Sequence, residues 1–324
     1  MNTPRSFTTI LLGVLATMTT PTAATAQFPG AEGNIVITRP STEGPARTVL
    51  DVTSPPDPCH CGITYTAVDL ADRDAETPAW SPDGSRLAYA AEISPGSARA
   101  IYVQRPGPRV RRITMGSRDS YAPAWSPDMT RLAFTRIRDN GRPRVLVVDI
   151  ATRAVTIVSG DLAAASDPTW SPDGSRIAFS ARRFIGSQDT CGSECRWQVF
   201  AVDASGGGVP LGLTSFSGGL RDPDWSPDGT RLAATAVDHR FIEGVAVLDA
   251  ASGSVIDFFS TNASDTWYED PSWSPSTTSH GPYRLALTYG GKSVSDLVVV
   301  LDSEDGSIEF VETGSQPSWG VQPV

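Results

Sequence analysis

The stretch WSPDGSRLAYA (Trp80–Ala90) returns as WSPDMTRLAFT (Trp125–Thr135), WSPDGSRIAFS (Trp170–Ser180) and WSPDGTRLAAT (Trp225–Thr235). A worn copy, WSPSTTSHGPYRLALT, runs from Trp273 to Thr288, and a sixth tryptophan, Trp319, stands in QPSWG near the C-terminus. Successive motif tryptophans lie 45 to 55 residues apart. That period belongs to propellers or solenoids, and the content of each unit decides between them.

SPDG is a turn with a mechanism. Proline presets φ at the second position, aspartate suits the third and glycine takes the fourth. A short apolar run follows each turn: RLAYA, RLAFT, RIAFS, RLAAT, RLALT. A second run follows (AIYVQ, VLVVD, VFAVD, VAVLD, LVVVLD), and a third closes each unit (RVRRIT, AVTIVS, VPLGLT, VIDFFS, IEFVET). With the strand that enters at the tryptophan, each unit has four strands. No window carries a helical apolar period. Four-stranded units at this period predict an all-β fold, a β-propeller.

Ala88, Ala133, Ala178, Ala233 and Ala286 share one repeat position, where a small side chain lets blades converge. Trp80, Trp125, Trp170, Trp225, Trp273 and Trp319 read as wedges between blades. Arg86, Arg131, Arg176, Arg231 and Arg284 read as partners of the turn aspartate or of a neighbouring blade. Upstream, GNIVITR, ARTVLDV and GITYTAV match the second, third and fourth strands of a unit that lacks its first. QPSWG supplies that first strand. The expectation is six four-stranded blades, with the C-terminal strand completing the N-terminal blade and closing the ring.

These repeats resemble the C-terminal propeller of TolB-type proteins and the WD40-like repeats that share the PxWSPDGxxIAF signature, over about residues 31–321. The resemblance implies a propeller; its signature residues are structural and name no activity. TolB-type proteins pair the propeller with an N-terminal α/β domain, for which this sequence leaves no room. Related repeats form the propellers of prolyl-oligopeptidase-like peptidases, whose separate hydrolase domain this sequence also lacks.

Residues 1–26 read as a signal peptide: Arg5, an apolar run from Ile10 to Leu15, and Ala24-Thr25-Ala26 before the cut. The run is too short to span a bilayer. Residues 27–324 are then a single exported propeller domain, extracellular or periplasmic and not membrane-embedded. The net charge of −10 argues against nucleic acid, which needs a basic face, and favours cationic partners. Export makes disulfides plausible. Cys191–Cys195 is the expected local pair; Cys59–Cys61 would close a very tight ring, and the alternative is that both of these thiols stay free.

Catalytic signatures are missing from the sequence. No serine has glycine at both −2 and +2, so the nucleophile elbow is absent. The three histidines, His60, His239 and His280, are scattered. CHC at Cys59–Cys61 lacks a fourth metal ligand. Acids, in contrast, recur ahead of each first strand: Asp74 and Glu76, Asp119, Asp167, Asp222 and Asp224, Glu269 and Asp270. Ring closure would gather them at one mouth of the channel. There they would focus a negative potential, beside Arg73, Arg118 and Arg221, for a cationic peptide, an amine or a hard cation such as Ca²⁺. The function expected is a non-enzymatic scaffold that binds a protein, peptide or ligand. The alternative is a hydrolase or lyase using carboxylates at that mouth.

Overall fold

A computed structural model describes residues 32–40, 48–53 and, with short interruptions, 74–321. All described elements are strands. The chain begins with β1 (Glu32–Pro40) and β2 (Thr48–Thr53). Blade 1 holds β3 (Ala75–Trp80), β4 (Leu87–Ala91), β5 (Ala100–Gln104) and β6 (Val110–Arg112). Blade 2 holds β7 (Ser120–Trp125), β8 (Arg131–Ile137), β9 (Pro143–Asp149) and β10 (Val155–Ile157). Blade 3 holds β11 (Ala164–Trp170), β12 (Arg176–Arg182), β13 (Gln198–Asp203) and β14 (Leu211–Gly212). Blade 4 holds β15 (Gly219–Trp225), β16 (Arg231–Val237), β17 (Glu243–Asp249) and β18 (Val255–Ser260). Blade 5 holds β19 (Thr266–Trp273), β20 (Arg284–Gly291), β21 (Val294–Asp302) and β22 (Ile308–Thr313), and β23 (Ser315–Val321) follows.

The blade count differs from the expectation. The described residues form five four-stranded blades, not six. The two ends of the described chain form a three-stranded sheet, β2-β1-β23, in place of a sixth. The physical reason is the supply of strands: β1 and β2 come from one end and β23 from the other. GITYTAV, the segment expected to add a fourth strand, lies outside the described residues. The joint itself is present, with β1 and β23 antiparallel and Ile35 opposite Trp319.

The first strand of every blade lines the axis. Neighbouring first strands β3, β7, β11, β15, β19 and then β23 touch in sequence, and β23 touches β3. Six apolar clusters fill the boundaries between adjacent sheets. Ala88, Ala133, Ala178, Ala233 and Ala286 are fully buried, each in the cluster shared with the next sheet. In the closing sheet the register places Val36 at this position.

The SPDG turn works through its aspartate. In blade 1 the Ser81 hydroxyl donates to Asp83 at 2.6 Å, the Ser85 amide donates to the same carboxylate at 3.0 Å, and the Arg86 amide donates to Ser81 Oγ at 2.9 Å. Blades 2 to 4 repeat this around Asp128, Asp173 and Asp228. The fourth turn residue has φ near +70° at Gly84, Gly174 and Gly229, and Met129 takes φ +57° in the copy without glycine. The motif arginines turn to the neighbouring sheet: Arg86 lies over Trp125, Arg131 over Trp170 and Arg284 over Trp319.

Residues 1–26, Cys59, Cys61, Cys191, Cys195 and the three histidines lie outside the described residues. Among the described residues no helix is long and apolar enough to cross a membrane.

Candidate channel site

Counting back from each motif tryptophan, the second residue is proline: Pro78, Pro123, Pro168, Pro223, Pro271 and Pro317. Proline cannot donate to the ladder, so pairing between first and second strands slips there. Register shifts fall at Glu76/Ala79, Tyr121/Ala124, Ser166/Thr169, Arg221/Asp224 and Glu269/Ser272. A bulge re-aims a side chain, and here the residue before proline takes it up. Thr77, Ala122, Asp167, Asp222, Asp270 and Gln316 all have φ between +48° and +54°. This is uncommon for residues with a Cβ, and residues before proline favour extended backbone. All six copies share it, so the strain belongs to the architecture and not to the acids alone.

Hydroxyls of the neighbouring blade hold these flipped peptides. Thr135, Ser180, Thr235 and Thr288 accept from the amides of Asp167, Asp222, Asp270 and Gln316 at 2.9–3.1 Å. Blade 1 has Ala90 at that position, and Thr77 Oγ1 accepts from the Ala122 amide instead, at 3.0 Å. Gln316 Oε1 in turn accepts from the Thr77 amide at 3.1 Å.

The six prolines and their neighbours line one cavity of about 190 Å³. It carries a ring of Thr77, Ala122, Asp167, Asp222, Asp270 and Gln316, polar at every position but Ala122, and a second tier one residue before each tryptophan. Three consecutive positions of the ring are aspartate, so one arc is acidic and the other neutral. Asp167 and Asp222 stand close enough to shift each other's protonation. Burial pushes all three carboxyls up; Asp222 adds to the effect on Asp167, and Asp222 with Glu269 adds to it on Asp270, which reaches about 8. Arg221 works against this at Asp222 and Asp270. Thr288 Oγ1 donates to Asp270 at 3.1 Å. These carboxyls are half-buried, so solvent reaches them through the lumen.

The other predicted acids divide into two groups. Asp74, Glu76 and Glu92 surround the Arg99 guanidinium at 3.5, 2.9 and 3.6 Å. Asp119 accepts from the Arg99 amide at 2.8 Å. Burial raises the Glu76 carboxyl despite Arg99. Asp224 belongs to the second tier and is committed to protein: it accepts from Thr169 Oγ1 at 3.2 Å and from the Trp273 amide at 3.1 Å. Arg118 turns away to Asp139, and Arg73 lies outside the described residues. The structure therefore brings Asp167, Asp222 and Asp270 together and sets Asp74, Glu76 and Asp119 apart on Arg99, the first two at its guanidinium and Asp119 at its backbone amide. The sequence signal that separates them is the distance to the tryptophan, three residues for the first group and four or six for the second.

Tyr121 and Arg99 are the site residues that sequence reasoning passed over. Burial, then Asp167, Glu76, Asp119 and Asp222, pushes the Tyr121 hydroxyl up, so members of both acid groups act on it. Among the described residues, no three His, Cys, Asp or Glu stand close enough together to hold a metal ion.

Comparison with known proteins bears on the fold. The model of the family described as TolB beta propeller domain matches residues 65–321. No curated protein matches the chain. Among solved structures, TolB from Acinetobacter baumannii is 22% identical, with a TM-score of 0.67 over 89% of this chain and 67% of that one. Hydrazine synthase from Kuenenia stuttgartiensis is 12% identical, with a TM-score of 0.68 over 92% of this chain and 48% of that one. An oligogalacturonate lyase from Vibrio parahaemolyticus is 13% identical, with a TM-score of 0.51 over 87% of this chain and 74% of that one. At these identities the likeness is one of fold.

Proposed function

The chain belongs to the TolB beta propeller domain family, and on that premise we propose that it is an exported, non-catalytic scaffold that binds a basic segment of a partner protein at the acidic arc of its channel. The observation that carries this reading is the run of Asp167, Asp222 and Asp270 at three successive equivalent positions of one ring. Like charges held together raise one another's pKa and wait for a cation. The cavity of about 190 Å³ is smaller than the roughly 300–1,000 Å³ of small-molecule sites. It suits one inserted side chain, such as lysine, with the rest of the partner on the rim. The absence of a three-ligand cluster among the described residues favours an organic cation over Ca²⁺. Export rests on the N-terminal sequence pattern.

A second reading follows from the Asp167–Asp222 contact. Two neighbouring carboxyls pushed up by burial are the raw material of general acid–base catalysis, which keeps the hydrolase or lyase alternative testable.

The experiment is the triple variant Asp167→Asn, Asp222→Asn, Asp270→Asn, titrated by calorimetry with a lysine-rich peptide and with Ca²⁺ at low and high salt. Binding to the wild type, lost in the variant and weakened by salt, supports the scaffold. Equal behaviour of the two proteins sinks it. Turnover of an oligogalacturonate by the wild type alone would favour the enzyme instead.

A further inference from the structure

The end of the β8–β9 hairpin reads Thr135-Arg136-Ile137-Arg138-Asp139-Asn140-Gly141-Arg142-Pro143-Arg144. Four arginines fall in ten residues of an acidic chain, and the fold puts them together. Arg136 and Arg144 are direct cross-strand partners. Just beyond them the Arg138 amide donates to the Arg142 carbonyl at 3.0 Å. Directly opposed like charges destabilise a strand pair.

Arg144 is the unusual member. It is only 8% exposed, and its Nε and Nη1 are buried without a hydrogen-bond partner. Burial, then Arg138 and Arg142, holds its guanidinium below the usual range, with Asp161 as the opposing acid. Arg136 is lowered in the same way by burial and by Arg112, which reaches across from blade 1. Arg136 and Arg112 both spend donors on the 114–116 loop, at the Met115, Thr114 and Gly116 carbonyls. The hairpin's own acid, Asp139, is taken by Arg118.

A buried guanidinium with orphaned donors among like charges is costly. A compact anion of charge near −2 would reverse the sign of that cost. We propose that the arginine row of the β8–β9 hairpin is a binding site for a phosphate-type oxyanion, with Arg144 as its buried floor and Arg136, Arg138 and Arg142 around it. A tetrahedral dianion presents acceptors in several directions and matches the guanidinium fork. A single carboxylate offers fewer acceptors and less charge. The site shares no residue with the channel and does not depend on the function proposed for it. It sits on the same rim, since the Ile137 amide donates to the Asp119 carbonyl at 3.0 Å.

The test titrates the full protein with inorganic phosphate against chloride of equal ionic strength, and in a second arm with vesicles carrying phosphatidic acid. Phosphate should bind the wild type and raise its melting temperature above the chloride control. Arg144→Met should bind at least about tenfold more weakly while melting no lower than wild type in chloride, because it removes a buried like charge. Loss in the free-phosphate arm alone assigns a soluble ligand; loss in the vesicle arm alone assigns a lipid headgroup. Should Arg144→Met fail to fold, Arg142→Gln, which is half-buried, should still bind severalfold more weakly. Absence of binding in both arms, or variants that bind like wild type, overturns the site.

Discussion

Asp224 and Trp273 hold each other twice across one blade boundary. The Trp273 amide donates to the Asp224 carboxylate at 3.1 Å, and the Trp273 indole donates to the Asp224 carbonyl at 2.9 Å. Asp224 is 7% exposed and Trp273 fully buried. The same boundary position is served by Ser318 for the Trp80 amide and by Ser272 for the Trp319 amide, both at 3.2 Å. The residue before each tryptophan is thus a joint to the next sheet wherever it carries an acceptor. Asp224→Ala strips the Trp273 amide and the Thr169 hydroxyl of a partner together and should cost about 1–3 kcal/mol. Asp224→Asn keeps an acceptor and should cost less. Urea unfolding checks both, and an unchanged midpoint for the alanine variant would remove the joint from the account.

Removal of Gln316–Val324 should destabilise every blade and not one. Trp319 is fully buried in the cluster between blade 5 and the closing sheet, and its strand is the only described partner of β1 besides β2. Truncating this side chain alone, in Trp319→Ala, should cost about 3–5 kcal/mol. A deletion variant that melts at the wild-type temperature would contradict the closed ring.

Stability should fall as pH rises from about 4 to about 8. The Asp270 carboxyl is raised from 3.8 to about 8, so the folded state holds a proton that the unfolded chain releases near pH 4. Its contribution is complete below that point and is lost through the folded value. Asp270→Asn should flatten this slope. The turn aspartates act in the opposite sense at low pH. Burial opposes ionisation of Asp83, Asp128 and Asp228, but hydroxyl and amide hydrogen bonds outweigh it and hold them low. Their contribution is lost as pH falls below the ordinary aspartate range. Chemical denaturation across pH 3 to 9.5 measures both limbs; the same slope in the Asn variant would refute the first.

Thr77→Ala should cost about 1 kcal/mol, the net worth of one hydrogen bond, because the Ala122 amide loses its acceptor. Adding Ala90→Ser places a hydroxyl where four other sheets already use one. The double variant should recover most of the loss. Additive effects of the two changes would show that Ala90 and Thr77 are unrelated.

The propeller was legible because its turns are local. Ser81, Asp83 and Gly84 satisfy one another within six residues, and four near-identical copies make the period visible. The β1–β23 joint was legible from the incomplete units at the two ends of the sequence, whereas the closing sheet has three strands because GITYTAV, expected to supply its fourth, falls outside the described residues. The acids were legible as recurrent but not as two groups. Which carboxyl faces the lumen is decided by a bulge at proline, and Arg99, which gathers the other group, comes from the loop after β4. The arginine hairpin gave no repeat signal, because only blade 2 carries it.

The joint between Ile35 and Trp319 also sets an order in time. A chain made from its N-terminus can build blades 1 to 5 in succession, yet β1 keeps an open edge until a strand some 280 residues later arrives. The long loop that must then close makes this a slow, high-contact-order step. Until it happens the assembly is an arc with two unlatched ends, each a sheet edge open to pairing with another chain.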